Sequence, residues 1–400
     1  MELNTIRLDF STLQLSPPLS LRIEEGLPRL ILDRLPDNEE IESKGWLKIE
    51  DADGKFLSWG FVDTSNNAVH LISDSENDPL VGLVARFGMA LKKRAEMKAL
   101  VGEVVRLVNS AGDNLSGFTL DAYGKTVILS LECKALQRLV DNLLEEVLWP
   151  LQPEQIILKI REKRPQLKGK ISQKILLGKG LIDKIWVKES GLSYLVQPLG
   201  KLDTGLFFDL RYARKEFAKG TKDCGVLNLF SYTGAFSLAA ANAGARRVVS
   251  IEIDSVNQNW AQQNFRKNGI DAKDPKYLFV KDDVFHYIDK LVSRSEVFER
   301  IILDPPSRLQ VGSGRFFLKT DLPKLVASCL NLLTPKGRLL ITDNTMLGTS
   351  EKLEQRIKKG AEIANVKCSI VKRFKPEPDF PVNPLWPKGR GVIAMEVERN

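Results

Sequence analysis

From Gly225 onward the chain alternates short apolar runs with helix-patterned segments. Apolar runs stand at Gly225–Phe230, Arg247–Ile253, Tyr277–Asp282, Arg300–Asp304 and Arg338–Thr342. Between them lie helical patterns at Ala235–Ala243, Ser255–Lys267, Val284–Leu291 and Asp321–Leu333. Parallel strands need a long crossover, usually a helix, so this alternation predicts an α/β fold with a doubly wound parallel sheet. A fifth helix, Glu351–Ala364, precedes two more strands at Val366–Phe374 and Gly391–Val397, making seven. The proline-rich Lys375-Pro376-Glu377-Pro378 joins that pair without a helix, so they are expected to run antiparallel at one edge.

The fourth strand ends in Asp304-Pro305-Pro306-Ser307. Proline lacks the amide donor and fixes its own φ, so two in succession stop the strand and leave a carboxylate at its C-terminal tip. In open α/β sheets ligands bind at that edge.

Upstream the pattern changes. Phe118–Leu131 predicts a β-hairpin turning near Tyr123-Gly124, and Ala135–Trp149 carries Leu136, Leu139, Val140, Leu143, Leu144 and Val147 at helical spacing. Strands at Gln155–Ile160, Ile185–Lys188 and Ser193–Gln197 would complete a small β-β-α-β-β unit. Short β-like runs at Trp46–Glu50, Phe56–Val62 and Val69–Ile72 suggest a compact N-terminal β domain, followed by a helix at Pro79–Lys98. The expected division is therefore residues 1–80, 81–200 and 201–400.

Composition narrows the chemistry. Four cysteines, Cys133, Cys224, Cys329 and Cys368, form no CxxC pair, which suits a reducing, cytoplasmic setting better than a disulfide or zinc framework. With only His70 and His286, imidazole-based metal or triad chemistry is disfavoured, and no metal is expected. No apolar run reaches the length of a membrane span. The net charge of +8 favours an anionic partner. Residues 159–184 concentrate that charge in Lys159, Arg161, Lys163, Arg164, Lys168, Lys170, Lys174, Lys179 and Lys184, opposed only by Glu162 and Asp183. Such a stretch is either a solvated loop or a phosphate-binding segment for RNA.

The loop after the first sheet strand reads Asn228-Leu229-Phe230-Ser231-Tyr232-Thr233-Gly234. It lacks the GxGxxG that lets backbone amides approach a pyrophosphate, and no GxxxxGK[ST] exists for a triphosphate. A ligand without phosphates fits better. Strand two ends in Glu252, placed to accept hydrogen bonds from ribose hydroxyls. Strand three ends in Asp282-Asp283-Val284, where a carboxylate could take an adenine amino group and the next apolar residue pack on its ring. The same aspartate would also cap the following helix. With Asp304, acidic residues stand at three successive strand tips, an arrangement that suits an adenosine bearing a positive sulfonium.

Taken in order, Thr204–Arg211, Val226–Gly234, Val248–Glu252, Asp282–Phe285 and Asp304-Pro305-Pro306 resemble the class I S-adenosylmethionine-dependent rRNA methyltransferases of the RlmI type. Weaker similarity upstream implies a central domain around Arg106–Gly124 and a degraded PUA domain around Trp46–Asn66. The resemblance implies S-adenosylmethionine as cofactor, bound by Asn228, Phe230, Tyr232, Gly234, Glu252, Asp283, Val284 and Asp304, with Arg211 on its carboxylate. The family usually reads Asp-Gln-Arg where this chain has Asp209-Leu210-Arg211.

Two departures bear on the reaction. RlmI-type enzymes carry a nucleophilic cysteine in Ser-Cys-Ser after strand five, as cytosine C5 requires. Here Thr342-Asp343-Asn344-Thr345 puts Asn344 at that place, and the alternative thiol position in the fourth motif is Pro306. Around Asp304, Pro305, Pro306 and Asn344 the expectation is therefore direct methyl transfer to an RNA base. An exocyclic amine as acceptor would want an aromatic after the prolines. Ser307 stands there, with Phe316 or Phe317 as substitutes. Phe380 likewise replaces a frequent histidine. The alternatives are a catalytically inactive cofactor- and RNA-binding protein, or methylation of a protein or small molecule. A homodimer stays open.

Overall fold

The structure, a computed structural model, describes residues 10–35, 45–97, 103–161, 171–178, 183–200, 203–311, 314–345, 348–386 and 391–400. The chain forms two units: residues 1–183, 198–202 and 378–390 make one, and 184–197, 203–377 and 391–400 the other.

The first unit holds two five-stranded sheets. One comprises β1 Phe10–Gln14, β2 Arg29–Ile31, β3 Trp46–Glu50, β4 Phe56–Asp63 and β5 Ala68–Ser73, in the order β1-β3-β4-β5-β2. Leu30, Leu47, Ile49, Val62 and Val69 fill its core, beside the short helix α1, Pro17–Glu24. Helix α2, Pro79–Ala95, starts where Asp78 accepts the Leu80 amide at 2.7 Å with proline in the first turn. It ends in Lys92, Lys93 and Arg94, charges that complement the helix dipole.

The second sheet comprises β6 Val105–Asn109, β7 Phe118–Tyr123, β8 Thr126–Leu131, β9 Gln155–Arg161 and β10 Ile171–Leu177, in the order β10-β9-β8-β7-β6. The β7–β8 hairpin turns through Gly124 at φ 62°, as its sequence predicts. Strands β8 and β9 run parallel, joined by a helical crossover that contains α3, Val140–Leu143. Part of the expected basic loop is thus the strand β10. Lys159 is only 2% exposed, so it adds nothing to a surface charge. Lys163, Arg164, Lys168, Lys170 and Lys179 lie outside the described residues.

The second unit begins with the hairpin β11 Ile185–Glu189 and β12 Leu192–Val196. Its sequence suggested the central β-β-α-β-β unit, but among the described residues its two strands pair only with each other. Asn264 and Asn268 explain why. One helical turn apart, they accept the Leu195 and Ser193 amides at 2.8 Å each, and Asn268 returns a bond to the Ser193 carbonyl at 2.7 Å. The two amide side chains thereby do the work of a neighbouring strand.

The main sheet contains β13 Gly225–Leu229, β14 Arg247–Glu252, β15 Tyr277–Lys281, β16 Phe298–Leu303, β19 Leu333–Asp343, β20 Cys368–Arg373 and β21 Ile393–Arg399, after a small hairpin β17 Arg308–Val311 and β18 Gly314–Phe317. Its order is β15-β14-β13-β16-β19-β21-β20. The first five strands are parallel, and β21 runs antiparallel between β19 and β20. The helices are α4 Arg211–Lys219, α5 Ala235–Asn242, α6 Ser255–Lys267, α7 Val284–Ser293, α8 Leu318–Asn331 and α9 Ser350–Ala364. Ile301, Ile302 and Leu303 are fully buried, as expected of a strand covered on both faces. Strand order reverses between β13 and β16, so the ligand crevice of such a sheet opens at the C-terminal ends of these two strands.

Between β20 and β21 the chain leaves this unit, and residues 378–390 pack within the first. There Asp379 accepts the Arg106 amide at 3.0 Å and the Arg94 guanidinium on its carbonyl at 2.9 Å. Phe380 is 5% exposed and lies under the Arg106 guanidinium at 4.7 Å, so this residue is a packing element. Among the described residues no helix is long and apolar enough to cross a membrane.

Candidate active site

At the switch point a pocket is lined by Gly205, Phe207, Leu210, Arg214, Asn228, Phe230, Ser231, Tyr232, Thr233, Ala235, Phe236 and Asp304. Of the residues singled out from sequence, it brings together Asn228, Phe230, Tyr232 and Asp304. Gly234 sits within the same loop.

The loop after β13 owes its shape to an uncommon backbone. Phe230, Tyr232 and Gly234 all adopt positive φ, at 61°, 49° and 74°. For the two aromatics this is a strained region, and such strain persists only where the surroundings enforce it. Here they do. The Ser231 amide donates to the Ile251 carbonyl at 2.9 Å, and the Tyr232 amide donates to Glu252 Oε2 at 2.9 Å. Thr233 donates its hydroxyl to the Gly205 carbonyl at 2.6 Å, while buried Asn264 donates to the Thr233 carbonyl at 3.0 Å. A Cβ on Gly234 would stand 2.7 Å from that of Ala261, which allows no larger residue. Inside the sheet Asn228 donates to Ser237 at 2.8 Å, and Ser237 pairs with Ser250 at 2.7 Å.

Glu252 carries two further bonds on its other oxygen, from the Asp254 amide at 3.0 Å and the Asn257 side-chain amide at 3.5 Å. A carboxylate offers about four acceptor positions, so capacity remains. At the tip of β15 the two aspartates divide their roles. Asp282 is committed to His286 at 2.8 Å and Lys290 at 2.9 Å, which bring its carboxyl down to about 2. Asp283 caps α7 by accepting the Phe285 and His286 amides, both on Oδ1. Val284 is buried at the first turn of that helix. Phe285 packs edge-on to Phe230 at 6.4 Å.

Asp304 accepts the Thr342 hydroxyl. Burial pushes its carboxyl above the usual range, opposed by that bond and by nearby Arg214. Arg214 is 3% exposed and binds Glu189 through two nitrogens at 2.7 and 3.0 Å. Burial works against its charge, but the Glu189 carboxylate outweighs this and holds the guanidinium above its ordinary range. Burial, then Asp203 and Glu252, also push the Tyr232 phenol up.

Arg211, the arginine expected on the cofactor carboxylate, is not in the pocket lining. It lies 3.6 Å from the buried Glu377. Leu210 and Arg214 line the pocket, whereas Arg211, at the first position of α4, is turned to Glu377. Phe207 was also passed over. Phe316 is corrected as a base-stacking residue, being 3% exposed and packed on Phe285 at 5.4 Å, whereas Phe317 is 41% exposed. Pro305 is buried, Pro306 half-buried and Asn344 exposed.

In the first unit Asp63, His70 and Cys133 lie close enough together to suggest a metal. Their donors are already engaged: His70 bonds Asp63 at 3.2 Å and Ser116 at 2.9 Å, and Asp63 also takes Ser65 and Asn66 at 2.6 Å each. Burial pushes the Cys133 thiol up to about 12, against metal ligation as a thiolate. This is a buried hydrogen-bond network.

Comparison with known proteins agrees with the geometry. A family model described as S-adenosylmethionine-dependent methyltransferase matches residues 107–387. YwbD of Bacillus subtilis (strain 168), whose name presents it as a candidate ribosomal RNA large subunit methyltransferase, is 27% identical over 397 residues, covering 94% of this chain and 97% of that protein. Ribosomal RNA large subunit methyltransferase I of Cronobacter sakazakii is 29% identical over 289 residues, covering 71% and 72%. Among solved structures SMU.776, a candidate methyltransferase complexed with SAH, has a TM-score of 0.84 at 23% identity, covering 97% of this chain and 99% of that one. That likeness shows the fold. The chain belongs to the S-adenosylmethionine-dependent methyltransferase family.

Proposed function

We propose that this enzyme methylates a base of ribosomal RNA by direct transfer, without a covalent cysteine adduct. The observation that carries this reading is the composition of the pocket, which joins aromatic walls and the Asp304 carboxyl but has no thiol in its lining. Cys224 precedes β13 and Cys368 opens β20, both at strand starts and so away from the strand ends that border the crevice. Cys329 is buried in α8, and Cys133 belongs to the first unit. Burial pushes all four thiols up, the opposite of an activated nucleophile.

The residues present fit the cofactor. When bound, S-adenosylmethionine supplies a methyl group on a positively charged sulfur. Glu252 has an acceptor position left for a ribose hydroxyl, and Asp283 keeps Oδ2 for an adenine amino group. Phe230 offers apolar surface beside it, and Val284 backs it from the core. Asp304 bears a carboxyl whose ionisation a cationic ligand would favour, and Arg214 balances it. With Pro305 and Pro306 fixing the wall and Asn344 exposed beyond β19, the chain's task is to orient an acceptor atom and exclude water. Histidine is dispensable for that.

The substrate reading rests on the relatives' names and on the net charge of +8. Residues 1–80 would act as a PUA-like RNA-gripping domain and the region from 81 as the central domain, which ends before the β11–β12 hairpin, in a cytoplasmic protein. The test is RNA carrying 5-fluorocytidine, which traps cysteine-based methyltransferases as covalent complexes. Labelled methyl should pass from S-adenosylmethionine to unsubstituted ribosomal RNA. The fluorinated RNA should give no denaturation-resistant adduct, and an adduct would overturn the mechanism.

A further inference from the structure

Two exposed aromatics bracket the turn that opens α4. Phe207, at the lip of the pocket, and Tyr212, one residue into the helix, are each 42% exposed. Leu210 between them and Arg214 beyond face the pocket, so Tyr212 stands on the outer side of the element that walls the site.

The Tyr212 ring packs edge-on to Phe374 at 6.0 Å. The Lys372 ammonium lies 5.1 Å over Tyr212 and 5.2 Å over Phe374, and Glu216 anchors it at 2.7 Å. Lys372 belongs to β20, the edge strand of the main sheet. Lys219 shares Glu216 with it at the surface, and Lys215 is exposed on the same helix, while Arg373 turns to the other face of the sheet and pairs with Glu354 at 2.6 Å. Tyr212 is exposed and Phe374 half-buried beneath it. An exposed ring set among the cations Lys372, Lys215 and Lys219 matches the two features of single-stranded nucleic acid, a π-face on every base and a charge on every phosphate.

We propose that Tyr212, Lys372 and Phe374 form a binding track for single-stranded RNA beside the pocket, with Tyr212 as a base-stacking platform and Lys372 as a backbone contact. The proposal rests on the RNA reading given above. Neither side chain touches the pocket, so the track can be altered without altering cofactor binding.

The experiment measures anisotropy of a fluorescein-labelled single-stranded RNA about a dozen nucleotides long over a salt series, with SAH affinity measured alongside. Tyr212→Ala should weaken RNA binding about tenfold, and Tyr212→Phe should restore it. Lys372→Gln should lower the slope of log affinity against log salt by about 0.7. SAH affinity should stay at the wild-type value in all three. RNA affinity and salt slope unchanged in Tyr212→Ala and Lys372→Gln would overturn the track. A parallel loss of SAH affinity would assign Tyr212 to the pocket and overturn it too. A wild-type protein that binds no RNA at low salt would remove the RNA reading itself, a distinguishable failure.

Discussion

Thr342 donates its hydroxyl to the Asp304 carboxyl, tying the end of β19 to the end of β16, where Asp304 lines the pocket. The bond partly offsets the cost of burying Asp304, whose carboxyl is pushed above its usual range mainly by loss of solvent.

That cost gives a pH signature. A carboxyl whose folded pKa is raised makes wild-type stability fall as pH rises from the unfolded pKa, about 4, to the higher folded one. Asp304→Asn keeps an acceptor for Thr342 but cannot ionise. It should melt no lower than wild type at neutral pH, with its relative stability growing across that window, while methyl transfer falls. Thermal melts at several pH values check the sign; an advantage that shrinks as pH rises contradicts it.

Glu252 and Asp283 separate cofactor contacts from structure. Glu252→Ala should weaken SAH binding at least tenfold by calorimetry, the scale of a lost charged hydrogen bond of about 1.5–3 kcal/mol. Asp283→Ala should weaken SAH binding and also cost about 1 kcal/mol of stability through the lost helix cap. Asp283→Asn keeps the cap, so it should lose affinity at near-native stability. Unchanged SAH affinity in both alanine variants would refute the two assignments.

Gly234→Ala meets two obstacles, a left-handed backbone at φ 74° and the Ala261 methyl 2.7 Å away. A loss of roughly 2 kcal/mol or more is expected from denaturant unfolding. Gly269→Ala serves as a comparison, since it shares the left-handed backbone at φ 75° but meets nothing within 4 Å, and it should cost less.

Glu189→Ala would leave the Arg214 guanidinium buried without its carboxylate. Breaking such a pair costs roughly 3–5 kcal/mol, and equilibrium unfolding should register most of it. Replacing both residues with apolar side chains of similar volume should cost clearly less than either single change.

The main sheet was legible because crossover helices impose a rhythm on parallel strands, and boundaries such as Ser255–Lys267 matched outright. The three acidic strand tips were legible because proline or a capping aspartate marks each strand end. Less visible were features set by side chains acting as backbone. Asn264 and Asn268 capture the β11–β12 hairpin through their amides, which no periodicity reports. That Arg214 rather than Arg211 lines the pocket goes with their separate carboxylate partners, Glu189 and Glu377, which no local pattern pairs with them. Phe316 read as an exposed loop aromatic because the β17–β18 hairpin that turns it inward has no strong strand pattern.

The most direct measurement of the central claim is mass spectrometry of ribosomal RNA nucleosides from cells with and without the gene. One methylated base other than 5-methylcytidine should disappear in its absence, returning with the wild-type gene but not with Glu252→Ala. Identical nucleoside profiles would contradict an rRNA methyltransferase, and loss of 5-methylcytidine would contradict transfer without a thiol.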